Sequence, residues 1–240
     1  LHGKKGEKPR PIQSEEGSGV YIFRNIVDGR VASYGGPPGK PDPTGAFLER
    51  PTQGIAHDHG SPTWPIYYVY HNTFLLKSPE GRGNYGFRWG SALRETQRRV
   101  FNNIFIQIEG LPQFRLFPKA DDDLQADGNL HWSVNEGANY KGDLFDKFRK
   151  SGLFEASKKR YPPGWFAHDR FADPKFLSLA EGRSFDLRLH KDSPAVDAGV
   201  EVPAHWPDPL RMQDKGRPDI GVLPLGAERF EVGKSATVPG

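Results

Sequence analysis

Two histidines in this sequence have types and a spacing that could do chemistry on a substrate. In HDHG (residues 57–60), His57 and His59 lie two positions apart, so on an extended strand both imidazoles point to one face and Asp58 points to the other. Such a pair suits acid–base catalysis or part of a metal site, although two histidines do not complete a coordination sphere. The alternative is a polar loop, because glycine and proline follow at once.

Two arginines recur in matching surroundings, 27 residues apart, as FRW (residues 87–89) and FRL (residues 114–116). A guanidinium group binds carboxylate or sulfate through two parallel hydrogen bonds, so stacked arginines suit an acidic polysaccharide. The alternative is that both are outward residues paired with local Asp or Glu. We predict the catalytic residues His57, His59 and Arg88, and the substrate-binding residues Asp58, Arg88, Trp89 and Arg115.

If the protein is a polysaccharide lyase, these residue types could carry its chemistry. Such an enzyme removes the proton next to a uronate carboxylate, which needs a base and a cation that neutralises the carboxylate. A glycoside hydrolase is the second choice, because it needs two carboxylates about 5–9.5 Å apart and the sequence offers no convincing pair. DDDLQADGN (residues 121–129) is similar to a calcium loop but lacks the acidic twelfth position, so calcium is left open and any other metal is unknown.

A sequence repeat indicates the strands that position these residues. Aligning Asn25, Asn72 and Asn103 brings apolar residues of similar type into register, and DGNLHW (residues 127–132) supplies a weaker copy with Asn129. The aligned columns are Ile22, Val69 and Val100; Phe23, Tyr70 and Phe101; and Val27, Phe74 and Phe105. Each period is expected to hold an early strand (residues 53–60, 85–91 and 113–117) and a later strand that bends at the asparagine.

A period of this size predicts an all-β solenoid in which each coil buries its apolar residues against its neighbours. Asparagine tolerates strained backbone angles at a bend, and stacked amides can hydrogen-bond from coil to coil, satisfying groups that would otherwise cost about 1–3 kcal/mol each. The four asparagines are therefore a predicted structural ladder. The alternative is a β-sandwich with asparagine in its turns.

Three later strings carry a resemblance to a known family: FADPKFLSL (residues 171–179), FDLRLHKDSPAVDAG (residues 185–199) and GRPDIGVLPLGAE (residues 216–228). With the preceding repeats, they resemble the C-terminal part of secreted right-handed parallel β-helix proteins of the pectate-lyase-like superfamily. The resemblance implies a right-handed parallel β-helix, a secreted or extracytoplasmic location and a polysaccharide ligand. That superfamily also includes non-catalytic adhesive and structural proteins, so a structural β-helix in a multi-chain assembly stays the alternative.

One domain is predicted, because all-β folds of about this length, 240 residues, commonly form a single domain. It is expected to be a portion of a longer β-helix. Residues 1–16 are expected to form a flexible arm, 17–140 the coils, 141–160 a short amphipathic helical insertion, and 161–240 the final coil and an irregular capping tail. Because nothing before the first coil resembles a cap, we expect another protein chain or an upstream segment to cover its open edge.

Composition excludes several other classes. The net charge is only +3 and basic residues interleave with acidic ones, which does not indicate a nucleic-acid partner. The sequence contains no cysteine, no membrane-spanning apolar run and no Gly-rich phosphate loop, so disulfides, a membrane partner and nucleotide chemistry are not expected.

Several polar and aromatic positions receive structural interpretations. Arg24, His71 and Asn102, each preceding a ladder asparagine, are predicted to face solvent. Asp173 and Asp197 are interpreted as turn-forming residues. The tryptophans are expected in loops, either stacking on sugar rings or covering the flank of the fold; they are Trp64, Trp89, Trp132, Trp165 and Trp206.

Overall fold

The computed structural model describes residues 19–28, 66–77, 97–109, 123–134, 143–179 and 185–229, and strands predominate over helices in these ranges. The strands that precede the aligned asparagines form one parallel sheet, in the order β1 (Val20–Phe23), β3 (Ile66–Tyr70), β5 (Gln97–Phe101) and β7 (Leu124–Asp127). The strands that follow them form a second, in the order β2 (Ile26–Asp28), β4 (Thr73–Lys77), β6 (Ile104–Glu109), β8 (Leu130–Ser133) and β9 (Arg170–Phe171). The chain therefore alternates between two parallel sheets.

The pairing register confirms the alignment of the repeats. Phe23 lies beside Tyr70, and Tyr70 beside Phe101, while Phe74 lies beside Phe105 in the other sheet. The aromatic rings of neighbouring repeats stack, with centroids 5.4 Å apart for Phe23–Tyr70 and 5.0 Å apart for Phe74–Phe105. Offset stacking of this kind adds to the burial free energy of each ring, so like residues in one column stabilise the pairing of the strands.

The bend between the two strands of each repeat has a left-handed residue, and this residue is not the asparagine. Positive φ belongs to the preceding position, at Arg24 (53°), His71 (51°), Asn102 (55°) and Gly128 (67°). The expectation that the ladder asparagines themselves carry the strained backbone is therefore wrong. A left-handed conformation costs a residue with a β-carbon about 1–2 kcal/mol, so three of the four repeats retain a costly bend.

Gly128→Ala is expected to reduce the free energy of unfolding by at least about 2 kcal/mol. The left-handed backbone accounts for about 1–2 kcal/mol of this, and a methyl group would lie only 2.6 Å from Asn102 Oδ1 and 3.1 Å from the Val200 nitrogen. Urea unfolding followed by circular dichroism measures the change. Gly152→Ala is the matched control, because none of the other described residues has an atom within 4 Å of its new methyl group, apart from chain neighbours and the nearby backbone of its own helix. Equal losses in the two variants would contradict the prediction.

Two short helices lie between β8 and β9, within the predicted helical insertion. Helix α1 spans Asp143–Arg149 and helix α2 spans Gly152–Ser157, and Ser151 caps α2 by accepting a hydrogen bond from the Phe154 nitrogen at 3.2 Å. The helices bury Phe145, Phe148 and Phe154 against the core that contains Val100 and Leu124, so an apolar stripe directs their packing. Neither helix has the length and apolar composition of a membrane span, nor does any other in the described residues.

The C-terminal tail covers the sides of the sheets. Strands β10 (Phe176–Ser178) and β11 (Asp186–Leu189) pair antiparallel, and Leu187 and Leu189 bury against a cluster that includes Leu75 and Ile106. Further along, Trp206 packs its ring 4.8 Å from Tyr68 and 5.0 Å from Tyr70. The tail thus contacts several repeats in succession. Its role as a cap at one end stays a prediction.

Candidate functional site

The predicted catalytic and substrate-binding residues all fall outside the described residues. This applies to His57, Asp58, His59, Arg88, Trp89 and Arg115, and to the proposed early strands that carry them. Their placement stays a prediction. The described residues hold three other polar arrangements, namely the asparagine column, a buried arginine at the first bend and a histidine–aspartate pair after the last repeat.

The asparagine column is continuous through the described repeats. Asn25 donates to Asn72 Oδ1, Asn72 donates to Asn103 Oδ1 at 2.9 Å, and Asn103 donates to Asn129 Oδ1 at 3.0 Å. Each Oδ1 also accepts the backbone N–H of the preceding asparagine, at 3.0–3.1 Å. Because Asn72, Asn103 and Asn129 are fully buried, these bonds satisfy groups that have no access to water.

A carboxylate, that of Asp169, lies next to Asn129 at the end of this column and was not predicted from the sequence. Asp169 Oδ1 accepts the Asn129 backbone N–H at 2.8 Å, and Asp169 Oδ2 lies 3.1 Å from His131 Nε2. Burial raises the pKa of Asp169, while its hydrogen bond to His131 acts in the opposite direction. The position precedes β9 as the asparagines precede β2, β4, β6 and β8, which is the signal that alignment could have used.

The polar residues at the left-handed positions are buried, so the prediction that they face solvent is wrong. Arg24, His71 and Asn102 are 8%, 2% and 0% exposed. Asn102 exchanges two hydrogen bonds of 2.8 Å with the backbone N–H and C=O of Val200. The tail therefore lies directly over the bends and replaces the water that their side chains would otherwise contact.

Arg24 is the most highly connected of these residues. Its Nε and Nη2 donate to the two carboxylate oxygens of Asp208, each at 2.9 Å, and its Nη1 donates to the carbonyls of Gly221 and Val222. Burial alone would raise the pKa of Asp208, but the hydrogen bonds and charge of Arg24 hold it below the usual value. Burial and the same positive charge lower the pKa of His71 to about 3, so His71 is neutral beside Arg24.

The third arrangement joins β7 to the segment after α2. Asp127 Oδ2 lies 2.6 Å from His168 Nδ1 and accepts the Tyr161 hydroxyl at 3.1 Å. Asp127 Oδ1 accepts the backbone N–H groups of His168 and Gly128, at 2.6 and 2.9 Å. The carboxylate is fully buried, whereas the His168 side chain is 53% exposed, so a buried anion fixes the orientation of a solvent-facing imidazole.

The hydrogen bond to Asp127 raises the pKa of His168, and the positive charges of Arg217 and Arg149 oppose this rise. Because Nδ1 faces Asp127, Nε2 is the ring atom left toward solvent. A histidine held in this way can donate a proton or a hydrogen bond from Nε2 when charged, and accept a proton when neutral.

Two carboxylates of the calcium-like string and two of the tryptophans are engaged within the fold. Asp123 pairs with Arg99 at 3.0 Å and Asp127 with His168, so two carboxylates of the calcium-like string are engaged with protein groups. Within the described ranges, no group of three or more metal-ligating side chains could hold an ion. Trp165 and Trp206 are 0% and 1% exposed, so these two cover the flank and cannot stack on a sugar.

Comparisons with known proteins give no relative for this arrangement. No protein-family model matches the chain, and no curated protein or solved structure matches it either. Its function is therefore inferred from the contacts of its own residues and from the sequence resemblance described above.

Proposed function

We propose that the chain is part of a right-handed parallel β-helix that binds an acidic polysaccharide outside the cytoplasm and cleaves it as a lyase. The observation that carries the proposal is the in-register parallel pairing of successive repeats around one column of hydrogen-bonded asparagines. Parallel strands repeat about every 4.8 Å, so equivalent side chains of successive repeats form a regular row. A regular row of side chains suits a polymer with regularly spaced charges.

The chemistry is assigned to the early part of each repeat. His57 or His59 takes the proton next to the uronate carboxylate, while Arg88 and Arg115 neutralise that carboxylate. Asp58 and Trp89 contact the sugar. The C–O bond to the next sugar then breaks as the carbon–carbon double bond forms, and the departing oxygen is protonated by solvent.

The tail supports the same proposal. The three strings that resemble the pectate-lyase-like superfamily include β10, β11 and the residues Gly221 and Val222, whose carbonyls accept hydrogen bonds from Arg24. Asp173 has a local turn contact, since its Oδ1 accepts the Lys175 N–H at 2.8 Å, while Asp197 has a left-handed φ of 50° and its Oδ1 accepts the Arg217 N–H at 3.0 Å. These residues thus belong to a covering segment, and the catalytic groups are sought elsewhere.

A polysaccharide-lyase assay tests the proposal. Incubation with alginate, pectate, chondroitin and heparin is expected to produce absorbance from the new double bond with at least one of them. His57→Gln or His59→Gln is expected to reduce this rate at least about 100-fold, since general-base catalysis contributes about 10²–10⁴-fold. His190→Gln is the control, because His190 lies half-exposed beside Asp192 in the tail and has no role in the assigned chemistry.

A non-catalytic structural or adhesive β-helix is the second candidate, and the sheet edges favour it. Within the described residues, β1 and β2 each pair on one side only, which leaves a row of backbone groups open to another strand. Binding to one of the four polymers without absorbance from a double bond would support this candidate. Absence of both binding and cleavage would reject a polysaccharide ligand altogether.

A further inference from the structure

The geometry points to a second glycan contact site, formed by His168 and Arg217, that binds a carboxylate or sulfate group of the acidic polysaccharide. This inference rests on the proposed function and extends it from the early strands to the end of the described repeats. It uses none of the residues assigned to the chemistry, namely His57, His59, Arg88 and Arg115.

His168 supplies a donor with a fixed direction. Two hydrogen bonds of 2.6 Å connect Asp127 to the backbone N–H and Nδ1 of His168, and Asp127 is itself held by Tyr161 and Gly128. The imidazole therefore loses little rotational freedom on binding, which lowers the entropic cost of a contact through Nε2. An aspartate in this column is unexpected for packing alone, because its counterparts Phe23, Tyr70 and Phe101 are aromatic.

Two arginines add positive charge around this imidazole. Arg149 donates to the carbonyls of Phe166 and Asp169, which flank His168 in the chain. Arg217 is exposed and donates through Nη2 to the Gly199 carbonyl at 2.8 Å, next to Val200, whose backbone lies against Gly128. Both charges act on the His168 imidazole. Arg149 also pairs with the exposed Asp146, so Arg217 is the better donor for an anion.

The charges around the site determine its response to pH. His168 faces the buried carboxylate of Asp127, which also accepts the Tyr161 hydroxyl. The cations are Arg149 and Arg217, and Asp197 Oδ1 accepts the Arg217 backbone N–H at 3.0 Å. Only the charged imidazole donates from both nitrogens. Affinity for an anion is therefore expected to be greatest below the raised pKa of His168 and to fall as pH rises through it.

An NMR titration of the histidine-labelled 240-residue chain tests the site. Adding oligogalacturonate or a heparin-derived oligosaccharide is expected to shift the His168 imidazole resonances and to raise its measured pKa further, whereas a neutral oligosaccharide leaves both unchanged. Arg217→Gln is expected to weaken binding about ten-fold, the effect of losing one charge-assisted hydrogen bond. Arg188→Gln removes a partly exposed arginine from β11 and serves as the control.

The outcomes separate this site from the proposed function. If the acidic glycans shift other resonances but not those of His168, the second site is rejected and polysaccharide binding stands. If no resonance responds to any acidic glycan, both are rejected. If inorganic sulfate gives the same response at the same concentration, the site binds simple anions and the assignment to a glycan is overturned.

Discussion

Replacing Asn103 with leucine is expected to reduce the free energy of unfolding by at least about 3 kcal/mol. The substitution keeps the shape of the side chain but removes the acceptor for two N–H groups of Asn72 and the donor to Asn129, Val69 and Phe101. Each buried polar group left without a partner costs about 1–3 kcal/mol, and these costs add only in part because the bonds share one network. The free energy of unfolding of a whole domain is about 5–15 kcal/mol, so this loss is a large fraction of the total.

Asn25→Leu is the matched control for this prediction. Asn25 has the same position in its repeat and also donates to its neighbour, yet it is exposed, so water replaces its lost partners. We expect it to cost less than about 1 kcal/mol. Urea unfolding of both variants gives the comparison, and similar losses at the two positions would show that burial of the column is not what makes it stabilising.

The repeat was predictable from sequence because its information is local. Each strand carries its own apolar pattern, and the asparagine marks the same place in every repeat, so alignment alone gave the register that pairs Val69 with Val100. The helical insertion was equally accessible, since Phe145 and Phe148 form an apolar stripe within one short segment. Alignment of the repeats could not predict which distant parts of the chain cover these elements.

The burial of Arg24 illustrates that limit. Its partners Asp208, Gly221 and Val222 lie 184–198 residues later in the chain, and an arginine at a bend is ordinarily solvated. Asn102 is covered by Val200 in the same manner, 98 residues away. Because such contacts depend on where a tail with little regular structure happens to lie, periodicity carries no signal for them.

The Asp127–His168 pair was missed for a different reason. A signal existed, because Asp127 interrupts a column of aromatic residues, but its partner lies 41 residues away beyond two helices. Asp169 gave a similar signal as the residue before a fifth strand of the second sheet. In both cases an acidic residue stands where the other repeats have an aromatic residue or an asparagine, and this difference marks a polar contact with the segment after the helices.

Replacing Arg24 with methionine is expected to cost about 3–5 kcal/mol, because it leaves the carboxylate of Asp208 buried without its partner. The side chains of Arg24 and Asp208 are 5% and 3% exposed, so water does not replace the lost bonds. Asp214, whose pKa burial raises to about 6, also lies 3.8 Å from Arg24. The charge of Arg24 lowers the pKa of both carboxyl groups, so its removal makes their ionised forms less stable in the folded protein.

Arg188→Met is a closely matched control. Arg188 also donates through Nε and Nη2 to both oxygens of one carboxylate, that of Asp186, but its side chain is 37% exposed. An exposed pair contributes about 0–1 kcal/mol, so this variant is expected to unfold almost as the unaltered protein does. Urea unfolding at pH 7 compares the two, and limited proteolysis shows whether residues 200–222 become accessible in Arg24→Met. Equal stability of the two variants would contradict a buried ion pair at Arg24.

The pH dependence of the Arg24 variant separates charge from packing. The lowered pKa of Asp208 means that the ion pair stabilises the fold above the unfolded value of 3.8 and that this contribution is lost as pH falls through the folded pKa. The difference in stability between the unaltered protein and Arg24→Met should therefore shrink in acid. Adding Asp208→Leu should restore much of the stability at pH 7, because it removes the buried charge that the first substitution leaves unpaired. A difference that persists unchanged in acid and in the double variant would instead assign the loss to packing of the arginine stem against the tail.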